Sequence, residues 1–145
     1  MGIIHHEDFL AWETRAPAHQ RGDPAWRFNA YRVSLFMLDC ARRDVRDLRV
    51  RRVSVGEIDQ LHRSVASICA NIAEGLGRAS AAERSRFFGI ALGSLRESQI
   101  WYEAVDEKLP PRIAQLRCEH LTELRRLLIG AQKWLSSQPQ RTNLI

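Results

Sequence analysis

Acid–histidine pairs are the first residues in this chain whose types could do chemistry, and their spacing limits what that chemistry can be. Asp59 and His62 form an acid-x-x-His pair, Glu119 and His120 are neighbours, and His5-His6-Glu7-Asp8 gathers four potential ligands near the start. A di-metal site in a helical bundle takes one Glu from each of two helices and a Glu-x-x-His from each of the other two. Here the ligand count fails. Only Asp59-x-x-His62 falls in a core helix, while Glu119 and His120 are adjacent and point in different directions. Two adjacent histidines on an unanchored end lack the fixed geometry of a metal site. Ser64 and His62 are two residues apart on one helix, a spacing that does not bring a nucleophile to its base. Gly75-Leu76-Gly77-Arg78 lacks the full spacing and the preceding strand of a dinucleotide loop, and no Walker lysine follows. The residues predict no metal, no cofactor and no enzymatic activity. A metal-dependent enzyme is the remote third reading, which stoichiometric bound metal would revive.

The basic residues carry a stronger signal. Arg42, Arg43, Arg46, Arg49, Arg51 and Arg52 fall within eleven residues, diluted by Asp44 and Asp47. Cations at a helix C-terminus favour the macrodipole and can pair with local acids, which explains one or two of them but not six. The cluster predicts a polyanion partner, with nucleic acid first. Because no aromatic residue interleaves it, phosphate contacts with little base readout are expected.

Periodicity positions these residues on four helices. Asp23-Pro24 reads as an N-cap followed by Pro at the first helical position, starting a helix that runs to about Arg49. Trp26, Ala30, Val33, Phe36, Met37, Cys40, Ala41 and Leu48 form its core stripe. Phe28, Tyr31, Leu35 and Leu38 form a second apolar stripe on the far side, continued by Arg42, Arg46 and Arg49. A lone bundle would leave those four in water, so they predict an interface. The alternative is that the N-terminal arm, residues 1–23, folds back over them. Ser54 with Glu57 and Ser80 with Glu83 are capping boxes. They start a second helix over 55–76 and a third over about 81–108. Gly75 and Gly77 are expected to end the second helix in a left-handed cap.

The second helix turns Ile58, Leu61, Val65, Ile68, Ile72 and Leu76 inward and aligns Gln60, Arg63, Ser67, Asn71 and Glu74 outward. The third has Phe87, Ala91, Ser94, Leu95, Ser98, Trp101, Tyr102 and Val105 as its expected core face. Its other face is Gly89, Gly93, Glu97, Ile100 and Ala104. Glycine inside a helix costs roughly 0.5–1 kcal/mol relative to alanine, so Gly89 and Gly93 predict close approach of another backbone. That backbone belongs either to the same protomer or to a neighbouring one. Glu97, if buried there, needs a donor such as Arg63 or Asn71. Pro110-Pro111 separates a fourth helix, 112–137, with Ile113, Leu116, Leu121, Leu124, Leu127, Leu128, Ala131, Trp134 and Leu135 inward and Arg125, Arg126 and Lys133 outward. Residues 138–145 form a tail expected to fray.

The stretch from Gln60 to Glu97 also carries a resemblance. Gln60, Arg63, Ser67-Ile68, Asn71-Ile-Ala-Glu74-Gly75, Gly77-Arg78, Ser80, Glu83, Phe87, Ile90-Ala91, Gly93-Ser94 and Glu97 resemble the four-helix-bundle family encoded by intervening sequences in bacterial 23S rRNA genes. Relatives of that family include the accessory proteins of diversity-generating retroelements. The similarity spans roughly residues 26–137, and Arg63, Asn71, Glu74, Gly75 and Glu97 are its motif positions. It implies a basic, non-enzymatic cyclic homopentamer, and in the retroelement branch RNA and a reverse transcriptase as partners.

The totals agree with such a protein. A chain of 145 residues is one domain by size, and 22 Arg and Lys against 17 Asp and Glu make a mild basic excess. Cys40, Cys69 and Cys118 are odd in number and lie among apolar residues, which argues for a reducing cytoplasm and against a disulfide framework. No signal-like or membrane-spanning run is present, so no membrane partner is expected. The expected protein is all-α, an up-and-down antiparallel four-helix bundle assembled into a homo-oligomer that binds RNA or DNA. The rival is a protein-interaction scaffold whose arginines only solubilise it.

Overall fold

The computed structural model describes residues 6–139, and among them every regular element is helical. Two short helices come first, α1 (His6–Arg15) and α2 (Ala18–Arg21), followed by a 3-10 turn at Pro24–Arg27. Four long helices follow: α3 (Asn29–Val50), α4 (Val55–Leu76), α5 (Ala81–Ala104) and α6 (Ile113–Ser137). A second 3-10 turn, Asp106–Lys108, links the last two. His5, the side chains of His6 and Glu7, and the tail from Gln140 lie outside the described residues.

Local chemistry sets most of these boundaries. Ser54 Oγ accepts from the Glu57 amide at 3.2 Å and donates to the Glu57 carboxylate at 2.8 Å. Ser80 does the same with Glu83, at 3.1 and 3.3 Å. Each box satisfies an orphan N–H at the first turn, and α4 and α5 start where the sequence places them.

Three boundaries differ from expectation. Asp23 accepts from the Ala25 amide at 2.8 Å, but it caps the 3-10 turn. Phe28 is extended at φ −87°, ψ 113°, so α3 begins only at Asn29. The third helix ends at Ala104 and gives way to the 3-10 turn, short of the expected 108. Gly77, at φ −78° and ψ −8°, ends α4 without reversing to the left-handed region. Its amide bonds to both Ala73 O and Glu74 O at 3.2 Å, so the last turn tightens.

The four long helices pack in a cycle, α3 on α4, α4 on α5, α5 on α6, and α6 back on α3 over a smaller contact. Ser64 bonds Ser98 at 3.0 Å and Ser67 bonds Ser94 at 2.8 Å. Gln132 reaches Ser85 O at 2.9 Å, while Gln99 reaches Thr122 Oγ1 at 3.3 Å. Numbers rise along one helix as they fall along its neighbour. Phe88, not Phe87, is the buried phenylalanine of α5, stacking on Phe28 at 5.4 Å. Trp134, expected inside, is 61% exposed, while Arg117 of the same helix is only 9% exposed.

Arg117 is buried because α3 presents a carboxylate to it. Its Nε and Nη2 donate to Asp44 at 2.8 and 3.1 Å, and Tyr102 Oη donates to the same carboxylate at 2.7 Å. Burial, the largest single effect, disfavours the Arg117 charge, but hydrogen bonding to Asp44 together with electrostatic attraction from Cys40, Asp44 and Tyr102 outweighs it and holds the guanidinium proton more tightly than in free arginine. Burial and then the Asp44 charge push the Tyr102 phenol well above its ordinary range, so it stays a donor. Removing one partner of a buried pair strands the other charge, at a cost of about 3–5 kcal/mol, whereas replacing the whole pair with apolar groups is far milder. In urea unfolding, Arg117→Met should therefore lose about 3–5 kcal/mol, and adding Asp44→Leu to it should recover stability. A double variant no more stable than the single one would show that the pair does not act as a unit.

Candidate functional site

The segment from Arg42 to Arg52 occupies the last turns of α3 and the link to α4. Arg42, Arg43, Arg46, Arg49, Arg51 and Arg52 are all solvent-exposed, and among the described residues none forms an ion pair with a carboxylate. Arg43 makes one weak local contact, to Cys40 Sγ at 3.4 Å. Asp44, which in sequence dilutes the cluster, is only 4% exposed and turns inward to Arg117. Asp47 is then the only acid left at the surface of that segment.

The link itself adds a second signal. Arg52 has φ 59°, and among the described residues only Arg112, at φ 71°, shares a positive φ. An L side chain in that region suffers a Cβ clash worth roughly 1–2 kcal/mol, so neither arginine stands there for its backbone preference. Asp44 is level with Tyr102 and Arg117, which puts the α3–α4 and α5–α6 links at the same end of the molecule. Arg112 thus joins Arg49, Arg51 and Arg52 at one end, an addition that sequence spacing alone could not supply.

The motif positions lie along α4 and α5. Arg63 and Glu74 are exposed, and Glu74 pairs with Arg78. Asn71 donates to Ser67 O and Oγ, at 2.8 and 3.1 Å. Gly75 is buried against α5: a Cβ there would meet Phe88 Cε1 at 2.9 Å and Phe87 Cβ at 3.1 Å. This glycine serves helix contact, not chain reversal. It seats Phe88 inside and leaves Phe87 half-buried near the guanidinium groups of Arg78, at 5.1 Å, and Arg86, at 4.5 Å.

Among the described residues the other face of α5 is largely uncovered. Gly89, Gly93, Glu97, Ile100 and Ala104 are all exposed, Ile100 by 58%. A Cβ on Gly93 would meet nothing within 4 Å, and one on Gly89 only Gln132 at an ordinary 3.5 Å. Packing within the protomer therefore does not account for these glycines. Glu97 is not buried and takes neither Arg63 nor Asn71 as donor; it accepts from Trp101 Nε1 at 3.3 Å. The second stripe of α3 also needs correction. Phe28, Tyr31, Leu35 and Leu38 are half-buried by the protomer itself, with Phe28 stacked on Phe88 and Tyr31 and Leu38 against the core.

Desolvation pushes the Cys69 and Cys118 thiols up to about 11 and raises Cys40, so at neutral pH all three are protonated. His120 is buried and meets the Phe36 ring edge-on at 5.6 Å. Among the described residues no group of three or more His, Cys, Asp or Glu could hold a metal ion, and no helix is long and apolar enough to cross a membrane.

An all-helical bundle with an arginine-studded end and a largely uncovered small-residue face defines the class. The chain belongs to the 23S rRNA-intervening sequence protein family, whose profile matches residues 50–130. It is similar to a protein of unknown function from the S23 ribosomal protein family of Bacteroides thetaiotaomicron, known from a crystal structure. The two share 25% identity and a TM-score of 0.68 over 72% of this chain and 98% of the other. No curated protein matches the chain.

Gly75→Ala tests the helix contact. Alanine is the better helix former by about 1 kcal/mol, yet overpacking costs about 1–3 kcal/mol. The variant should be less stable in thermal or urea unfolding, and a gain in stability would show that α4 and α5 separate freely at this point.

Proposed function

We propose that this protein is a non-catalytic, homo-oligomeric nucleic-acid-binding protein that contacts RNA or DNA phosphates through the arginine end of α3 and its link to α4. The observation that carries this reading is the set of six exposed arginines without ion pairs, beside an Asp44 withdrawn into the core. Arg112 extends the surface. Membership in a family named for intervening sequences of 23S rRNA fits an RNA partner. For the retroelement accessory proteins related to that family, the protein partner is a reverse transcriptase, and such a partner is the proposal for this chain if it belongs to that branch. No residue set supports a nucleophile, a metal or a cofactor, and we read the protein as no enzyme.

The protomer in this proposal is an up-and-down antiparallel four-helix bundle, and the assembly is a cyclic homopentamer, the number coming from the resemblance. Because α3 and α5 each pack on both α4 and α6, their outward faces point away from one another. Two different patches on opposite sides favour a head-to-tail contact, which closes into a ring. The face made by Gly89, Gly93, Glu97 and Ile100 supplies one patch, and Leu35 with its half-buried neighbours Phe28, Tyr31 and Leu38 supplies the other. Copies of the arginine end on one ring would multiply weak phosphate contacts. The same α5 face favours a second reading, a protein-interaction scaffold without nucleic-acid binding.

Salt separates the two readings. Neutralising three to five phosphates gives a log–log slope of roughly −2 to −3.5 for single-stranded RNA, at about −0.7 per phosphate. Replacing Arg46, Arg49 and Arg52 by Gln should keep helicity and mass while lowering affinity and flattening the slope in fluorescence anisotropy. Equal binding by the triple variant, or no binding by either protein at low salt, would remove this surface as the site. Arg52→Gly sharpens the test, because the backbone strain disappears with the charge. Its melting temperature should hold or rise while the slope shrinks by about 0.7.

Light scattering should give about five times the 16.7 kDa chain mass. A monomer at micromolar concentration would sink the ring.

A further inference from the structure

The chain extends on the N-terminal side beyond the residues that the family profile matches. The profile begins at residue 50, and the Bacteroides protein is covered over 98% of its length by 72% of this chain. Helix α1 lies within the residues read as an arm, and it packs on α3. Phe9 meets Phe36 edge-on at 5.5 Å, and Trp12 meets Phe36 at 5.8 Å and stacks on Trp26 at 5.9 Å. Glu13 Oε1 lies 3.1 Å from Arg32 Nε. Phe36 in turn touches His120 of α6. The arm therefore docks on α3 beside the residue through which α3 meets His120 of α6, the adjacent pair of long helices with the smallest contact. Among the described residues its ring contacts and its ion pair fall on Trp26, Phe36 and Arg32 rather than on Phe28, Tyr31, Leu35 or Leu38, the stripe that the alternative reading had it cover.

What ties this arm to its own bundle is weak. Helix α1 has ten residues, below the roughly 12–15 at which an isolated helix holds in water, so it is helical because it is docked. The connector Pro17–Asp23 has no buried residue: α2 packs none, and six of the seven residues are exposed. Straightened, its seven residues span at most about 23–25 Å at 3.3–3.6 Å per residue, and straightening uncovers no buried residue of the connector. The docked contacts are the same whichever chain supplies the arm, and exchange of an identical element is a low-cost link between protomers.

We infer that the seam lined by Trp26, Phe36 and His120 is a docking groove for the arm of a second copy of this chain, with Phe9 and Trp12 as its anchors. The inference rests on the homo-oligomer proposed above. In the assembly, neighbouring copies hold each other's arms at high effective concentration, and the exchanged arms clasp a ring that the family unit builds without them.

Crosslinking decides which chain supplies the arm. Two differently tagged full-length chains, one carrying Glu13→Cys and the other Arg32→Cys in a Cys118→Ser background, are co-expressed and treated with a short bis-maleimide. The expected result is a covalent dimer containing both tags, lost when Phe9→Ala and Trp12→Ala are added to the arm donor. A single chain with both cysteines reports docking in either geometry. If that chain closes only on itself and the two tagged chains never join, arm exchange is overturned; if it does not link at all, the docking is overturned too. Scattering on the same samples keeps the two proposals apart: an unchanged oligomeric mass with only intrachain links rejects exchange and leaves the assembly standing, whereas a monomeric mass rejects both.

Discussion

Asp44, Arg117 and Tyr102 bind three helices at one level of the core, and much of the remaining structure depends on that meeting. A carboxylate in an apolar interior is tolerated only when its lone pairs are satisfied. Here two guanidinium nitrogens and a phenol satisfy them. The triad fixes α3, α5 and α6 against sliding, because a shift of one turn would strand a charge. It also aligns the α3–α4 and α5–α6 links at one end, where Arg52 and Arg112 adopt left-handed backbone conformations. Because Asp44 is consumed internally, the arginines around it keep their charge for solvent or for a polyanion. A core interaction thereby sets the electrostatics of a surface.

The second constraint is the closeness of α4 and α5. Ser64 against Ser98, Ser67 against Ser94, and Gly75 against the two phenylalanines place small or hydrogen-bonded groups along the contact. Small side chains allow the approach, and hydroxyl pairs satisfy the polar atoms it buries. With its inner face committed to α4 and α6, α5 turns Gly93 toward space in which a Cβ would meet none of the described residues within 4 Å and leaves Ile100 mostly exposed. The low packing demand on that side leaves room for another backbone, which is why the proposed assembly uses it.

The N-terminal arm extends the core of this chain. Phe9, Trp12, Trp26, Phe36 and His120 form a run of touching rings from α1 across α3 to α6. Such rings combine large buried area with preferred geometry. They close the side of the bundle where two long helices meet least.

The four long helices, the two Ser–Glu caps and the inward stripes of α3 and α4 were legible in the sequence, because hydroxyl capping and a 3.6-residue period act over a few neighbouring residues. The family, too, was legible from a motif dense in glycine and small residues. The arginine cluster could be located, but its strength could not: whether Asp44 screens its neighbours depends on Arg117, 73 residues away. Phe87 and Phe88 are 100° apart on a helix, too close for periodicity to choose between them, and the approach of Gly75 settled the choice. Gly77 had the composition of a left-handed cap, yet the last turn of α4 tightened instead. The arm carried no sustained period, so the sequence left it as an extension, and only Phe36 on α3 and Trp26 in the preceding 3-10 turn made it a helix. Tertiary structure decided each of these cases because the deciding contact joined residues far apart in the chain, where local periodicity holds no information.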